Sequence, residues 1–111
     1  MVKTYVPEEG DIVWLEFDPQ AGHEQAGRRP AVVLSRKAYN QKTGLAIFCP
    51  ITSQIKGYPF EVTVNGKKIR GVVLSDQVKS LDWRARQAKL IEKLNPKALA
   101  EVTAKLSSII R

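Results

Sequence analysis

The chain of 111 residues has one cysteine, Cys49, and one histidine, His23. A single cysteine rules out an internal disulfide and a cysteine-built metal site; a single histidine rules out a pair of histidines as acid and base. No H-E-x-x-H pattern, carboxylate cluster, G-x-S-x-G elbow or phosphate-binding glycine loop occurs. Neither a metal nor another cofactor is therefore expected. No apolar stretch reaches the length of a signal peptide or a membrane span, so the expectation is a cytoplasmic protein with no membrane role. Repeats, low-complexity tracts and linkers are missing too, and residues 1–111 read as a single domain.

What is present is an ordinary globular composition, 43% hydrophobic and 26% charged, with a formal charge of +7. The charge is uneven. Residues 1–20 carry one basic and five acidic side chains, whereas residues 21–90 carry thirteen basic and four acidic. A basic middle on a small domain suits a polyanionic partner such as RNA, DNA or an acidic protein segment, and it equally suits a merely soluble surface. A domain of this size buries only about 60–65% of the surface of its unfolded chain, so pairing of two copies would hide more.

Apolar runs bounded by turn residues predict strands at Ile12–Phe17, Pro30–Ser35, Leu45–Ile51, Phe60–Val64, Gly71–Ser75 and roughly Ala85–Leu94. Asn65-Gly66 marks a hairpin. Cys49 sits inside the apolar run Leu45–Cys49 and reads as a small buried residue. Asn95 can cap a C-terminal helix that opens at Pro96 and carries Leu99, Val102, Leu106, Ile109 and Ile110 on one face. The pattern is α+β: a small antiparallel barrel-like sheet closed by one amphipathic helix.

Three polar clusters interrupt the strands. Gly22-His23-Glu24-Gln25-Ala26-Gly27-Arg28-Arg29-Pro30 gathers an acid, an amide and two guanidinium groups, and it reads either as a solvated hairpin loop or as a reactive site. Thr52-Ser53-Gln54 with Lys56-Gly57-Tyr58 follows the third strand; if neighbouring strands pair, both loops emerge at one end of the sheet. The third cluster, Leu74 to Arg86, holds Gln77, Lys79, Trp83, Arg84 and Arg86, which suit single-stranded RNA through hydrogen bonds, stacking and charge. Trp83 reads two ways, as a stacking platform or as a core or interface anchor.

These pieces together resemble the MazF/PemK toxin family along nearly the whole chain. The match runs through Gly10-Asp11-Ile12-Val13-Trp14, Phe17-Asp18-Pro19, the loop and strand Gly22 to Ser35, Pro50-Ile51-Thr52, Lys56 to Val62 and Val73 to Arg86. The resemblance implies an SH3-like antiparallel barrel of the CcdB/PemK-like toxin fold and a homodimer. It also implies the toxin of a type II toxin–antitoxin system, cutting single-stranded RNA at a short recognition sequence without the ribosome and held silent by an acidic antitoxin of the MazE type. By the same resemblance the catalytic roles fall on Arg29, Thr52 and Glu24. RNA contacts are expected from Phe17, Gln25, Arg28, Ser53, Lys56, Tyr58, Gln77, Lys79, Trp83 and Arg86. The C-terminal helix matches least.

The family's reaction is attack of a ribose 2′-hydroxyl on the adjacent phosphorus, leaving a 2′,3′-cyclic phosphate and a 5′-hydroxyl. Arg29 suits charge stabilisation through its rigid fork of donors, and Glu24 is the better candidate for the base. Two rivals remain at this point. CcdB-like gyrase poisons share the fold but end in Trp-Gly-Ile, where this chain ends Ile109-Ile110-Arg111. A non-catalytic nucleic-acid-binding barrel fits the charge alone.

Overall fold

A computed structural model describes residues 5–16 and 27–110. Seven strands and two helices follow in the order β1 (Asp11–Glu16), β2 (Arg28–Val33), α1 (Lys37–Thr43), β3 (Leu45–Thr52), β4 (Glu61–Asn65), β5 (Arg70–Leu74), β6 (Lys79–Asp82), β7 (Lys89–Lys93) and α2 (Pro96–Ile110). All the strand pairs are antiparallel, in the spatial order β4-β5-β3-β2-β1-β7. β3 is the branch point: Leu45 to Phe48 pair with β6, while Ile51 and Thr52 pair with β5. One eight-residue strand thus serves two partners on the same edge, and the sheet curls between them. The α+β expectation holds.

The sheet is buried on both faces, which explains why its central strands read as nearly continuous apolar runs instead of alternating ones. Ile12, Val32, Cys49 and Ile51 face one core with Val62, Val64, Val73, Leu94 and Val102. Val13, Leu15, Ala31, Val33, Ala46 and Phe48 face the other, with Trp83. Successive residues of β1, β2 and β3 therefore alternate between two cores and not between core and water. A bulge between Ile12 and Val13, opposite β7, accentuates the bend.

Helix α2 lids the first core. The side-chain oxygen of Asn95 accepts the Lys97 N–H at 2.7 Å, the expected cap, and Val102 is fully buried with Ala98 and Leu99 packed beside it. The expected apolar face narrows beyond that point: Leu106 is half-buried, and Ile109 and Ile110 are 46% and 68% exposed. The last turn has no core beneath it.

Four local expectations are corrected. β2 begins at Arg28, so both arginines lie in a paired strand, opposite Glu16 and Leu15. Residues 37–43 form a helix to which no apolar stripe points, because its one buried residue is the polar Asn40. Asn40 ties three segments: its amide donates to the carbonyls of Pro7 (2.8 Å) and Ser35 (3.1 Å), its side-chain oxygen accepts the Ser35 hydroxyl, and its carbonyl accepts the Trp83 indole N–H at 2.9 Å. Residues 79–82 add a strand. Finally, β7 starts at Lys89, since residues 83–87 turn under the Asp82 carboxylate, which accepts the N–H groups of Arg84 and Ala85.

Candidate active site

The register of β2 and β3 brings the first two side chains together. Ala31 pairs with Pro50, so Arg29 and Thr52 each lie two residues beyond that pair on neighbouring strands, and the two-residue period puts them on one face. Arg29 is exposed and Thr52 half-buried. The Thr52 hydroxyl oxygen accepts the N–H of Gln54 at 3.1 Å, which leaves its proton free to be donated into the cleft.

Three tethers hold the loop of residues 53–60 that forms one wall. The Glu61 carboxylate accepts the N–H groups of Lys56 (3.0 Å) and Gly57 (3.1 Å), pinning a turn that Gly57 takes at φ +78°. The Tyr58 hydroxyl donates to Asp76 at 2.8 Å, and the Lys105 ammonium of α2 donates to the Pro59 carbonyl at 2.8 Å. Across the gap, Gln77 N–H bonds to the Leu74 carbonyl and turns residues 75–79 toward the same space. The result is a cleft of about 470 Å³ with Pro50, Ile51 and Leu74 among its apolar lining and Arg29, Thr52, Gln54, Lys56, Tyr58, Glu61, Gln77 and Lys79 supplying the polar groups.

Three cations face one lining carboxylate, and both oxygens of that carboxylate are already engaged by backbone amides. Such a cleft favours an anion with several oxygens. The bond to Asp76, with its charge, raises the Tyr58 phenol above its ordinary range, so Tyr58 stays a neutral donor. Burial, followed by the charge of Asp76, pushes the Cys49 thiol up to about 12, which removes it as a nucleophile. Among the described residues no three His, Cys, Asp or Glu side chains stand close enough to share a metal ion.

Six of the residues singled out in the sequence converge here: Arg29, Thr52, Lys56, Tyr58, Gln77 and Lys79. Ser53 is exposed one residue past Thr52 and is not among the lining residues. Arg28 points to the opposite face, where its guanidinium lies 5.6 Å from the Trp14 ring centre, above a shallow hollow it shares with Glu16 and Lys89. Arg86 donates to the Glu16 carbonyl at 2.9 Å, at the end of β1. Trp83 is corrected: only 2% exposed and hydrogen-bonded through its indole to Asn40, it is a core anchor with no face to offer a base. Phe17, His23, Glu24 and Gln25 lie outside the described residues. Gln54 belongs to the second polar cluster of the sequence, but no role was expected of it, nor of Glu61 or Asp76. Glu61 and Asp76 act by holding the loop, and only their partners in the fold reveal that.

Residues 8–110 match the family model described as PemK-like, MazF-like toxin of type II toxin–antitoxin systems. The chain belongs to the PemK/MazF toxin family. The endoribonuclease toxin MazF of Escherichia coli K12 is 52% identical over 110 residues, 99% of each chain. The crystal structure of MazF from Deinococcus radiodurans superposes with a TM-score of 0.87 at 56% identity, covering 96% of this chain and 98% of that one. A MazE–MazF crystal structure from the same organism gives 0.87 at 49% identity, over 96% and 97% of the two chains.

In this PemK/MazF toxin a larger hollow, about 660 Å³, lies between the β4–β5 hairpin, β7 and the start of α2. Its principal acid is already committed: the Glu92 carboxylate accepts the N–H groups of Lys67 (3.1 Å), Lys68 (2.9 Å) and Ile69 (2.9 Å). What sets the smaller cleft apart is not size but the convergence of Arg29 and Thr52 with two lysines.

Proposed function

We propose that this PemK/MazF toxin is a sequence-specific, ribosome-independent endoribonuclease that cleaves single-stranded RNA by attack of a ribose 2′-hydroxyl on the adjacent phosphorus. The observation that carries the reading is the pairing of Arg29 and Thr52 on one face of adjacent strands, inside a cleft that also holds Lys56, Lys79 and Gln77. As the phosphorane forms, negative charge builds on its non-bridging oxygens. The Arg29 guanidinium meets them with a planar fork of donors, and the Thr52 proton adds a third. Lys56 and Lys79 hold flanking phosphates as point charges, while Gln54, Gln77 and Tyr58 offer hydrogen-bonding groups to splayed bases. Glu24 is the proposed base, since an arginine gives up its proton reluctantly. The protein would work in the cytoplasm as a homodimer and be silenced there by an acidic antitoxin of the MazE type.

The test uses purified protein and a short RNA with one cut site. Replacing the ribose 5′ of the cut with deoxyribose should abolish cleavage there, because it removes the nucleophile. Excess EDTA should leave the rate within about two-fold, since no step of the proposed attack uses a metal-generated hydroxide. The products should carry a 2′,3′-cyclic phosphate and a free 5′-hydroxyl by mass spectrometry. Cleavage of the deoxy substrate at that bond would make water the nucleophile and defeat the mechanism.

A further inference from the structure

Thr52 sits at the last position of β3, where the strand runs out into the loop and its pairing with β2 has already ended at Pro50. The neighbour that fixes it is β5. Ile51 pairs with Val73 and Thr52 with Val72, and the next residue along β5 is Gly71. A side chain there would collide with the backbone of β3: a Cβ built on Gly71 overlaps the Thr52 carbonyl oxygen, lies 2.9 Å from its carbonyl carbon and 3.2 Å from the Ser53 Cα. None of these atoms can swing aside by changing a rotamer. Retreat the other way is blocked as well, because Gly71 is in register with Val64, which is 2% exposed within the core beneath α2.

We infer that Gly71 is a positioning residue for the reaction: its missing side chain lets β5 close against the Thr52–Ser53 backbone and so sets where the Thr52 hydroxyl stands relative to Arg29. A methyl group at position 71 pushes on the end of β3, whose pairing with β2 has ended, and because Gly71 takes φ +155° the alanine is strained on its own account as well. The displacement needed to relieve such overlaps is about 1 Å, and an offset of that size at a reacting group costs on the order of 100-fold in rate. Gly71 touches no RNA in this scheme and acts only through Thr52. The inference rests on the RNA-cleaving reading above.

Gly71→Ala should lower kcat by about 10- to 100-fold while KM, and the affinity for a deoxy-substituted RNA that cannot be cut, stay within about two-fold. Gly66→Ala is the structural comparison. It also lacks room, against the Glu92 carboxylate and the Ile69 carbonyl, but lies at the far tip of the same hairpin, so it should lower Tm and leave kcat near wild type. Adding Gly71→Ala to Thr52→Ala should slow the enzyme no further than Thr52→Ala alone, because the group being positioned is gone. If Gly71→Ala folds poorly, trimethylamine N-oxide restores the folded fraction, and kcat per folded molecule, counted by near-ultraviolet circular dichroism, is compared instead. Wild-type kcat in Gly71→Ala beside a slow Thr52→Ala, or losses that multiply in the double variant, would overturn the inference. Failure of the unmodified protein to cut RNA would defeat the underlying reading instead.

Discussion

Arg29 and Trp83 carry opposite kinds of work, and their surroundings show why. Arg29 is exposed, so removing it opens no core. Arg29→Ala should therefore lower the RNA-cutting rate by about 100-fold or more and move Tm by less than about 3 °C, read from single-turnover cleavage and a thermal melt of the same sample. Thr52→Ala removes one donor among several and should cost less, about 10- to 100-fold. A folded Arg29→Ala that cuts at the wild-type rate would take the guanidinium out of the chemistry. Trp83 should behave in reverse. Trp83→Phe loses the indole bond to Asn40 and leaves that carbonyl underused in the core. Stability should fall by about 1–3 kcal/mol while the affinity for uncleavable RNA is unchanged; a weakened affinity in the folded variant would restore Trp83 to the RNA surface.

The β4–β5 hairpin shows how an element distant from the cleft is held. Its loop turns three backbone N–H groups onto Glu92 of β7, and Asn65 pairs with Arg70 at the neck. Burial is the largest single influence on the Glu92 carboxyl and pushes it up, but the three amides and the charge of Lys68 together outweigh it and hold it below its ordinary value of 4.5. A carboxylate with a depressed folded-state pKa contributes stability above its unfolded value, and that contribution is lost as pH falls through the folded value. Glu92→Gln should thus lower Tm by a few degrees, up to about 4–8 °C, at pH 7, and the gap from wild type should narrow as pH falls below 4.5 and through the folded value. A gap that persists unchanged into acid would mean that the carboxylate charge contributes nothing to the hairpin.

Legibility in the sequence followed the same division. β3, β4, β5 and α2 were readable because apolar runs, an Asn-Gly turn and an Asn-Pro cap are local signals. Helix α1 was not, since it buries an amide and not an apolar stripe, and β6 is a polar four-residue strand whose partner among the described residues, β3, lies more than thirty positions earlier in the chain. Arg29 and Thr52 were found through motif resemblance, and the register of β2 with β3 is what puts them side by side. Glu61 and Asp76 were invisible because each acts on a loop whose path the sequence does not draw.

At the scale of the molecule, three of the thirteen basic side chains between residues 21 and 90 gather at one place. Arg29, Lys56 and Lys79 line one cleft, and a strand of RNA seated there would displace about three counterions. Affinity for uncleavable RNA should fall with salt at a log–log slope near −2, and Lys56→Ala should make that slope shallower by about 0.7. An acidic antitoxin segment suits the same cations, so adding it should raise the apparent KM for RNA without changing kcat. A ternary complex in which RNA and antitoxin both keep full affinity would place the antitoxin elsewhere.

The pairing of β1 with β7 has a consequence in time as well as in space. β1 is complete by Glu16, yet one of its two neighbours spans Lys89–Lys93, so the sheet cannot finish until nearly the whole chain exists. The cleft is spread just as widely, from Arg29 to Lys79, with α2 tying its loop through Lys105. A domain built from such distant pairings folds late and as a unit. While it is still being translated, the nascent chain has no assembled cleft with which to cut the message that encodes it.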